Sequence, residues 1–146
     1  LGSGPILRNV REAALELLSE HGISSEVWSV TSYGELRREG LEHERSRRLN
    51  PGISEEPYVS RCFGDKTPTV ATSDYICSVP EMIQRWVGGR YIVLGTDGFG
   101  RSDTREALRS FFEIDTNSIV VAAISALDQS GRCVEAQLLP FQYYHG

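Results

Sequence analysis

Positive charge is the minority here: 15 lysines and arginines face 20 aspartates and glutamates, a net charge of −5 at pH 7. That balance excludes a general nucleic-acid binder, which neutralises phosphates with a basic surface. No apolar run approaches the roughly 20 residues needed to span a bilayer. Nor does the opening Leu1-Gly2-Ser3-Gly4-Pro5 show the basic start and apolar stretch of a signal peptide. An initiating methionine is absent too, so a fragment or processed piece is expected.

Cysteine and histidine are equally scarce. Cys62, Cys77 and Cys133 are odd in number and widely spaced, without the spacing of a metal-binding repeat. Reduced, buried thiols and a cytoplasmic setting are the expectation. Among the histidines, His21 falls at a helix end, where the helix dipole accounts for it. His43 lies in the charge-rich stretch "LEHERSRR" and is expected to be solvated, and His145 sits in the tail. No serine occupies a nucleophile elbow with acid and histidine following. No catalytic set is visible.

What is present alternates. Residues from Ile6 to Leu18 repeat at helical spacing between Pro5 and Gly22. Val27 to Val30 is a short β-rich run. The stretch from Gly34 to Leu49, dense in Arg and Glu, predicts one or two surface helices broken near Gly40, and Asn50-Pro51-Gly52 predicts a loop. Thr69 to Thr72 reads as a strand. Ser78-Val79-Pro80-Glu81 has capping-box spacing ahead of a helix carrying Met82, Ile83, Trp86 and Val87, which Gly88-Gly89 ends. Tyr91 to Leu94 is a further strand, followed by a helix with Ala107, Leu108, Phe111 and Phe112. Asp115 is placed to cap a final helix through Leu127.

Strands alternating with helices predict an α/β fold, a mostly parallel sheet covered on both faces. "LGSG" fits the end of one more strand. Polar turns end three of the strands: Thr31-Ser32, Ser73-Asp74 and Thr96-Asp97-Gly98. Such carboxyl ends are where open α/β sheets bind ligands.

The glycine-rich loop "LGTDGFGRSDTREALRSFF" poses the sharpest question. It matches neither the dinucleotide fingerprint nor the Walker pattern, because no lysine follows its glycines. Asp97 and Asp103 would repel a phosphate unless Arg101 and Arg105 outweighed them. A structural corner explains more of its residues: Gly98 and Gly100 permit positive φ, and Ser102 or Asp103 caps the next helix, with Glu106 at capping-box spacing. Arg101 is assigned a charge-assisted hydrogen bond to a carboxylate or a strand-end carbonyl.

"YIVLGTDGFGRSDTREALRSFFEID", with the upstream "VWSVTSYGELRREGLEHER", "PYVSRCF" and "VATSDYICSVPEMIQRWVGGRY", closely resembles one family. It is the C-terminal domain of the homodimeric bacterial-type pyruvate dehydrogenase, the thiamine-dependent first component of the pyruvate dehydrogenase complex. The resemblance runs from Leu1 to about Leu127 and implies a transketolase-type C-terminal domain. That fold is a three-layer α/β arrangement with a mixed, mostly parallel sheet between helices. Two stretches depart from it. Arg45-Ser46-Arg47-Arg48-Leu49-Asn50-Pro51 stands where the family has an Arg-Trp-Asn-Met-Leu-His-Pro-like segment, and residues 128–146 do not look like the usual helical ending.

By resemblance, the complete enzyme decarboxylates pyruvate and passes the acetyl unit to lipoyl groups. Its thiamine diphosphate, magnesium and acid–base residues lie in preceding domains, so no catalytic, cofactor or metal residue is carried onto this chain. This chain alone is predicted inactive. Its implied partners are the remaining domains, a second copy in a homodimer, and the dihydrolipoyl acetyltransferase of the complex, with neither nucleic acid nor membrane. Within it, Thr96, Asp97, Gly98, Gly100, Arg101, Ser102 and Asp103 are expected to form an interface or structural loop. Aromatic surface from Trp86, Phe111 and Phe112, and from Phe141, Tyr143 and Tyr144, is expected to promote self-association. The competing reading is a stand-alone regulatory or small-ligand-binding domain that uses the strand-end loops.

Overall fold

The computed structural model describes residues 1–97 and 104–131. Pro5 lies in a 3₁₀ turn, Gly4–Ile6, that runs directly into helix α1, Leu7–His21. Proline fits there because the first N–H groups of a helix have no partner to lose. Gly22 ends α1 with a φ of 64°, and its N–H donates to the Leu18 carbonyl. Helices α2 (Tyr33–Leu49) and α3 (Tyr58–Phe63) precede strand β1 (Thr69–Thr72), and the short α4 (Ser78–Glu81) precedes β2 (Tyr91–Leu94). Helices α5 (Arg105–Phe111) and α6 (Thr116–Gln129) complete the described chain. Asp115 caps α6 as expected, accepting from the Ser118 N–H at 2.9 Å.

Strands β1 and β2 pair in parallel, from Thr69 opposite Tyr91 to Thr72 opposite Leu94. Leu1–Gly2 adds the next rung. The Leu1 nitrogen donates to the Val70 carbonyl at 2.6 Å, and the Thr72 N–H donates to the Leu1 carbonyl at 3.0 Å. On its other side Gly2 exchanges two 2.9 Å bonds with Trp28 and Val30. The run Val27 to Val30, expected as a strand, is thereby reduced to a single parallel bridge at Ser29. Across the sheet the order is segment 28–30, Leu1–Gly2, β1, β2.

This order divides the helices between two faces. From Leu1–Gly2 the chain travels one way through α1 to segment 28–30, then back the other way through α2 and α3 to β1. Parallel crossovers share one hand, so opposite directions of travel place helices on opposite faces. One face holds Ile6, Val10 and Leu17 against Ile119, Val120 and Ile124 of α6. The other holds Tyr33, Val59, Ala71, Ile83 and Trp86. The α/β expectation is met.

Several local expectations are not met. Helix α2 is unbroken at Gly40. A Cβ at that position would sit 2.6 Å from the Trp86 ring, so the glycine makes room for the indole. Trp86 is therefore buried, at 7% exposure, and offers no self-association surface. Its Nε1–H donates to Glu44 at 3.0 Å, and the Arg85 guanidinium lies 5.6 Å from the ring centroid.

Ser78 does not cap a long helix either. Cys77 takes the cap position without a side-chain bond, α4 ends at Glu81, and Gln84–Trp86 forms a 3₁₀ turn. After Glu81 the bonds tighten to i→i−3, the Met82 N–H donating to Val79 and the Ile83 N–H to Pro80, and Val87 is extended, with the Gly88 N–H on the Phe63 carbonyl at 2.8 Å. His43 is half-buried rather than solvated, with Nε2 2.9 Å from Glu39, whose carboxylate also accepts the Tyr58 N–H. Cys62 and Cys77 are free but only half-buried. Phe112 is half-buried, while Cys133, Phe141, Tyr143, Tyr144 and His145 lie outside the described residues.

Two variants test this packing. Gly40→Ala forces the indole to move and should cost about 1–3 kcal/mol in chemical denaturation. An unchanged midpoint would show that Trp86 repacks freely. The Tyr33 hydroxyl is buried without a hydrogen-bond partner among the described residues. Burial pushes its pKa from 10.0 up to about 12, and burial raises that of Tyr91 as well. Because burial disfavours the ionised hydroxyl, the folded chain holds this proton more tightly than the unfolded one, so stability is constant below about pH 10 and falls as pH rises toward the folded value. Tyr33→Phe should therefore gain roughly 1 kcal/mol near neutrality and hold its melting temperature further into alkali.

Candidate functional site

Open α/β sheets bind ligands where two adjacent strands send their chains to opposite faces. Here that point lies between Leu1–Gly2, which feeds α1, and β1, which feeds α4. The residues leaving these strands are Ser3 and Ser73, both buried at 6% and 0% exposure. The Ser3 hydroxyl donates to Ser73 Oγ at 3.1 Å, and Ser73 Oγ accepts the Tyr75 N–H at 3.1 Å. At the divergence of the two strands the protein's own hydroxyls are bonded to each other.

Adjacent to it, the start of the glycine-rich loop is bound to the turn after β1. The Thr96 N–H donates to the Tyr75 carbonyl at 2.9 Å, and Thr96 Oγ1 donates to the Asp74 carbonyl at 2.9 Å. Asp97 Oδ1 accepts the Cys77 N–H at 2.8 Å. Gly95 is required by this closeness, since a Cβ there would lie 2.7 Å from the Tyr75 carbonyl oxygen. Two turns separated by some 20 residues thus become one hydrogen-bonded unit.

Of the seven residues singled out in the sequence, Thr96 and Asp97 belong to this unit. Gly98, Gly100, Arg101, Ser102 and Asp103 lie outside the described residues. The cap assigned to Ser102 or Asp103 belongs instead to Thr104, whose hydroxyl accepts the Ala107 N–H at 3.3 Å. Of the other strand-end turns, Thr31-Ser32 serves α2, Ser32 Oγ accepting the Glu35 N–H at 3.2 Å. Ser3, Tyr75 and Cys77 were not identified as site residues. The available signal was the polar residue closing each β-rich run, which marks a turn without naming its partner.

The electrostatics are local. Burial, aided by the Asp97 carboxylate, pushes the Cys77 thiol from 9.0 up to about 11. Its nucleophilic thiolate is thus suppressed. A recess of about 270 Å³ lies beside the unit, mostly apolar, with Arg109 among its lining residues. A larger one of about 440 Å³ opens at the other end of the sheet, between Ala13, Leu17, Trp28 and Ala123. Among the described residues no group of three or more His, Cys, Asp or Glu side chains could hold a metal ion. None of their helices is long and apolar enough to cross a membrane.

These features define an α/β domain with a parallel sheet between two helical layers, its strand-end turns bonded to one another. Residues 1–115 match the family described as the transketolase-like TK C-terminal domain, and the chain belongs to that family. Among curated proteins it is 51% identical over 134 residues to the pyruvate dehydrogenase E1 component of Pseudomonas aeruginosa. It is 47% identical over 133 residues to that of Escherichia coli, and 44% identical over 136 residues to that of Mycobacterium tuberculosis. Each match covers 90% of this chain. The chain spans only about 15% of these relatives' length.

Asp97→Asn tests the link between the two turns. With the Cys77 pKa near 11, roughly one thiol in a thousand is ionised at pH 8. Removing the carboxylate should raise that fraction and speed alkylation of Cys77 several-fold, read by peptide mass mapping. An unchanged rate would mean that burial alone controls the thiol.

Proposed function

We propose that this chain is the C-terminal module of a pyruvate dehydrogenase E1 enzyme. That enzyme decarboxylates pyruvate and hands the acetyl unit to lipoyl groups of the dihydrolipoyl acetyltransferase. The observation that carries this reading is 44–51% identity to proteins named for that activity. The module scaffolds a homodimer and contributes to docking within the complex. The domain comprises residues 1–127, and 128–146 form a divergent tail. The free state of Cys62 and Cys77 fits a cytoplasmic location.

Thiamine diphosphate and magnesium are implied for the complete enzyme. Magnesium in such sites takes one or two carboxylates together with phosphate oxygens. Asp97, the carboxylate at the loop, is committed to the Cys77 N–H. We assign the cofactor to other domains of that enzyme, and read the loop that includes Thr96, Asp97, Gly98, Gly100, Arg101, Ser102 and Asp103 as a corner at a domain or subunit contact. The stand-alone ligand-binding alternative is weakened by the Ser3–Ser73 bond at the switch point.

Isothermal titration provides the test. The 146-residue polypeptide should give no binding heat with thiamine diphosphate and magnesium, while the complete polypeptide should bind both and turn over pyruvate. Micromolar affinity in the short chain would overturn the assignment.

A further inference from the structure

The recess of about 440 Å³ follows the path that a strand would take. Leu1 lies at its inner end, with residues 26–28 along one wall and 68–70 along the other. Those walls run back from the two segments that Leu1–Gly2 joins, so they start two strand spacings apart. Both carry unused donors. In an extended strand a residue's N–H and C=O point to the same side. The Trp28 and Val70 carbonyls accept the Gly2 and Leu1 nitrogens, so the Trp28 and Val70 N–H groups also face inward. In β1 the Thr69 and Ser73 N–H groups turn to β2 instead. Among the described residues neither the Trp28 nor the Val70 N–H has an acceptor on the inner side. The Leu1 nitrogen shares these surroundings. Leu1 is buried, its bond to Val70 uses a single N–H, and burial pushes the ammonium pKa from 8.0 down to about 6. A peptide nitrogen, with one N–H and no charge, suits that position without a desolvation cost of this kind.

We propose that this recess is a strand slot, filled by the residues directly preceding Leu1 in the longer polypeptide, which continue its strand between residues 26–28 and 68–70. The proposal rests on the reading of this chain as one module of a longer enzyme, and it names where, and in what register, the rest of the polypeptide enters. The parallel ladder sets the register. Gly2 lies opposite Ser29 and Thr72. Two steps back, the residue before Leu1 falls between Val27 and Val70, and its carbonyl accepts the Trp28 N–H. The residue before that falls between Glu26 and Thr69, and its carbonyl accepts the Val70 N–H. Side chains alternate along a strand. Leu1 packs on the side of Tyr33 and Val59. The residue before it therefore faces Ala13, Leu17 and Ala123 of α1 and α6, and the next one back faces Phe63 and Cys62 of α3. A strand from another molecule would leave the Leu1 ammonium buried and would lose its freedom on associating, whereas the continuing chain removes the charge and is already tethered.

Crosslinking in the complete polypeptide tests the slot. One variant carries a cysteine two residues before Leu1, and a second carries it one residue before. Each is treated with a short bismaleimide, and linked peptides are mapped by mass. The first variant should link to the native Cys62 within one chain. The second should do so several-fold less, because alternation turns its side chain to the α1–α6 side. No Cys62 link from the first variant, or equal links from both, overturns the proposal. A link between two chains, seen as doubled mass on a denaturing gel, also overturns it in favour of a second copy. Amide exchange on the unmodified polypeptide gives a readout that needs no variant. The Trp28 and Val70 N–H groups should exchange about as slowly as the Thr72 N–H, which Leu1 already binds. Exchange many-fold faster overturns the slot. Pyruvate turnover of the unmodified polypeptide separates the two readings. Turnover without the Cys62 link rejects the slot and leaves the module reading standing, whereas the link without turnover rejects the module reading and leaves the slot standing.

Discussion

Leu1–Gly2, two residues hydrogen-bonded on both sides, is the constraint on which the rest of the structure depends. All four of their backbone polar groups are used, toward Val70 and Thr72 on one side and Trp28 and Val30 on the other. In a buried parallel sheet each such group left unpaired would cost the desolvation of a polar atom. Gly2 must also be small. A Cβ there would lie 3.0 Å from Val10 Cγ2 and 3.1 Å from Leu7 Cα, in the path of α1 as it folds back over the sheet. The chain leaves this rung in one direction and returns in the other, so the two helical layers and the place where they divide all follow from it.

Elements marked by neighbouring residues were legible in the sequence. The entry of α1 after Pro5, its end at Gly22, the cap at Asp115 and both strands stand where periodicity and end signals put them. What was not legible depends on residues distant in sequence. Gly40 looks like a helix breaker until Trp86, 46 positions later, is seen to fill the space above it. The Ser78 capping box is a valid local signal, yet Cys77 takes the cap position and the chain beyond Glu81 tightens to i→i−3 bonds. His43 sits among charges in sequence, yet Glu39 holds it against the start of α3. At the candidate site the polar turns were visible one by one. The bonds joining residues 3 to 73, 74 to 96 and 77 to 97 have no signature in any single window.

Those long-range bonds bear on what this copy of the fold does. A parallel sheet with a switch point invites a ligand at its carboxyl edge, because loops diverge there and leave backbone donors free. Among the described residues of this chain, several of those donors are already used. The Tyr75 N–H, the Cys77 N–H and the Thr96 N–H each have an internal acceptor, and the buried Ser3 hydroxyl donates to Ser73 Oγ at the crevice. A ligand competing for these donors would have to replace bonds already formed, gaining little over what it disrupts. The same bonds stiffen the turn and hold its apolar side chains outward. The recess of about 270 Å³ at this edge is bordered by the same turns, Asp74 and Thr96 among its lining residues, so the bonds that use up those donors also fix its rim.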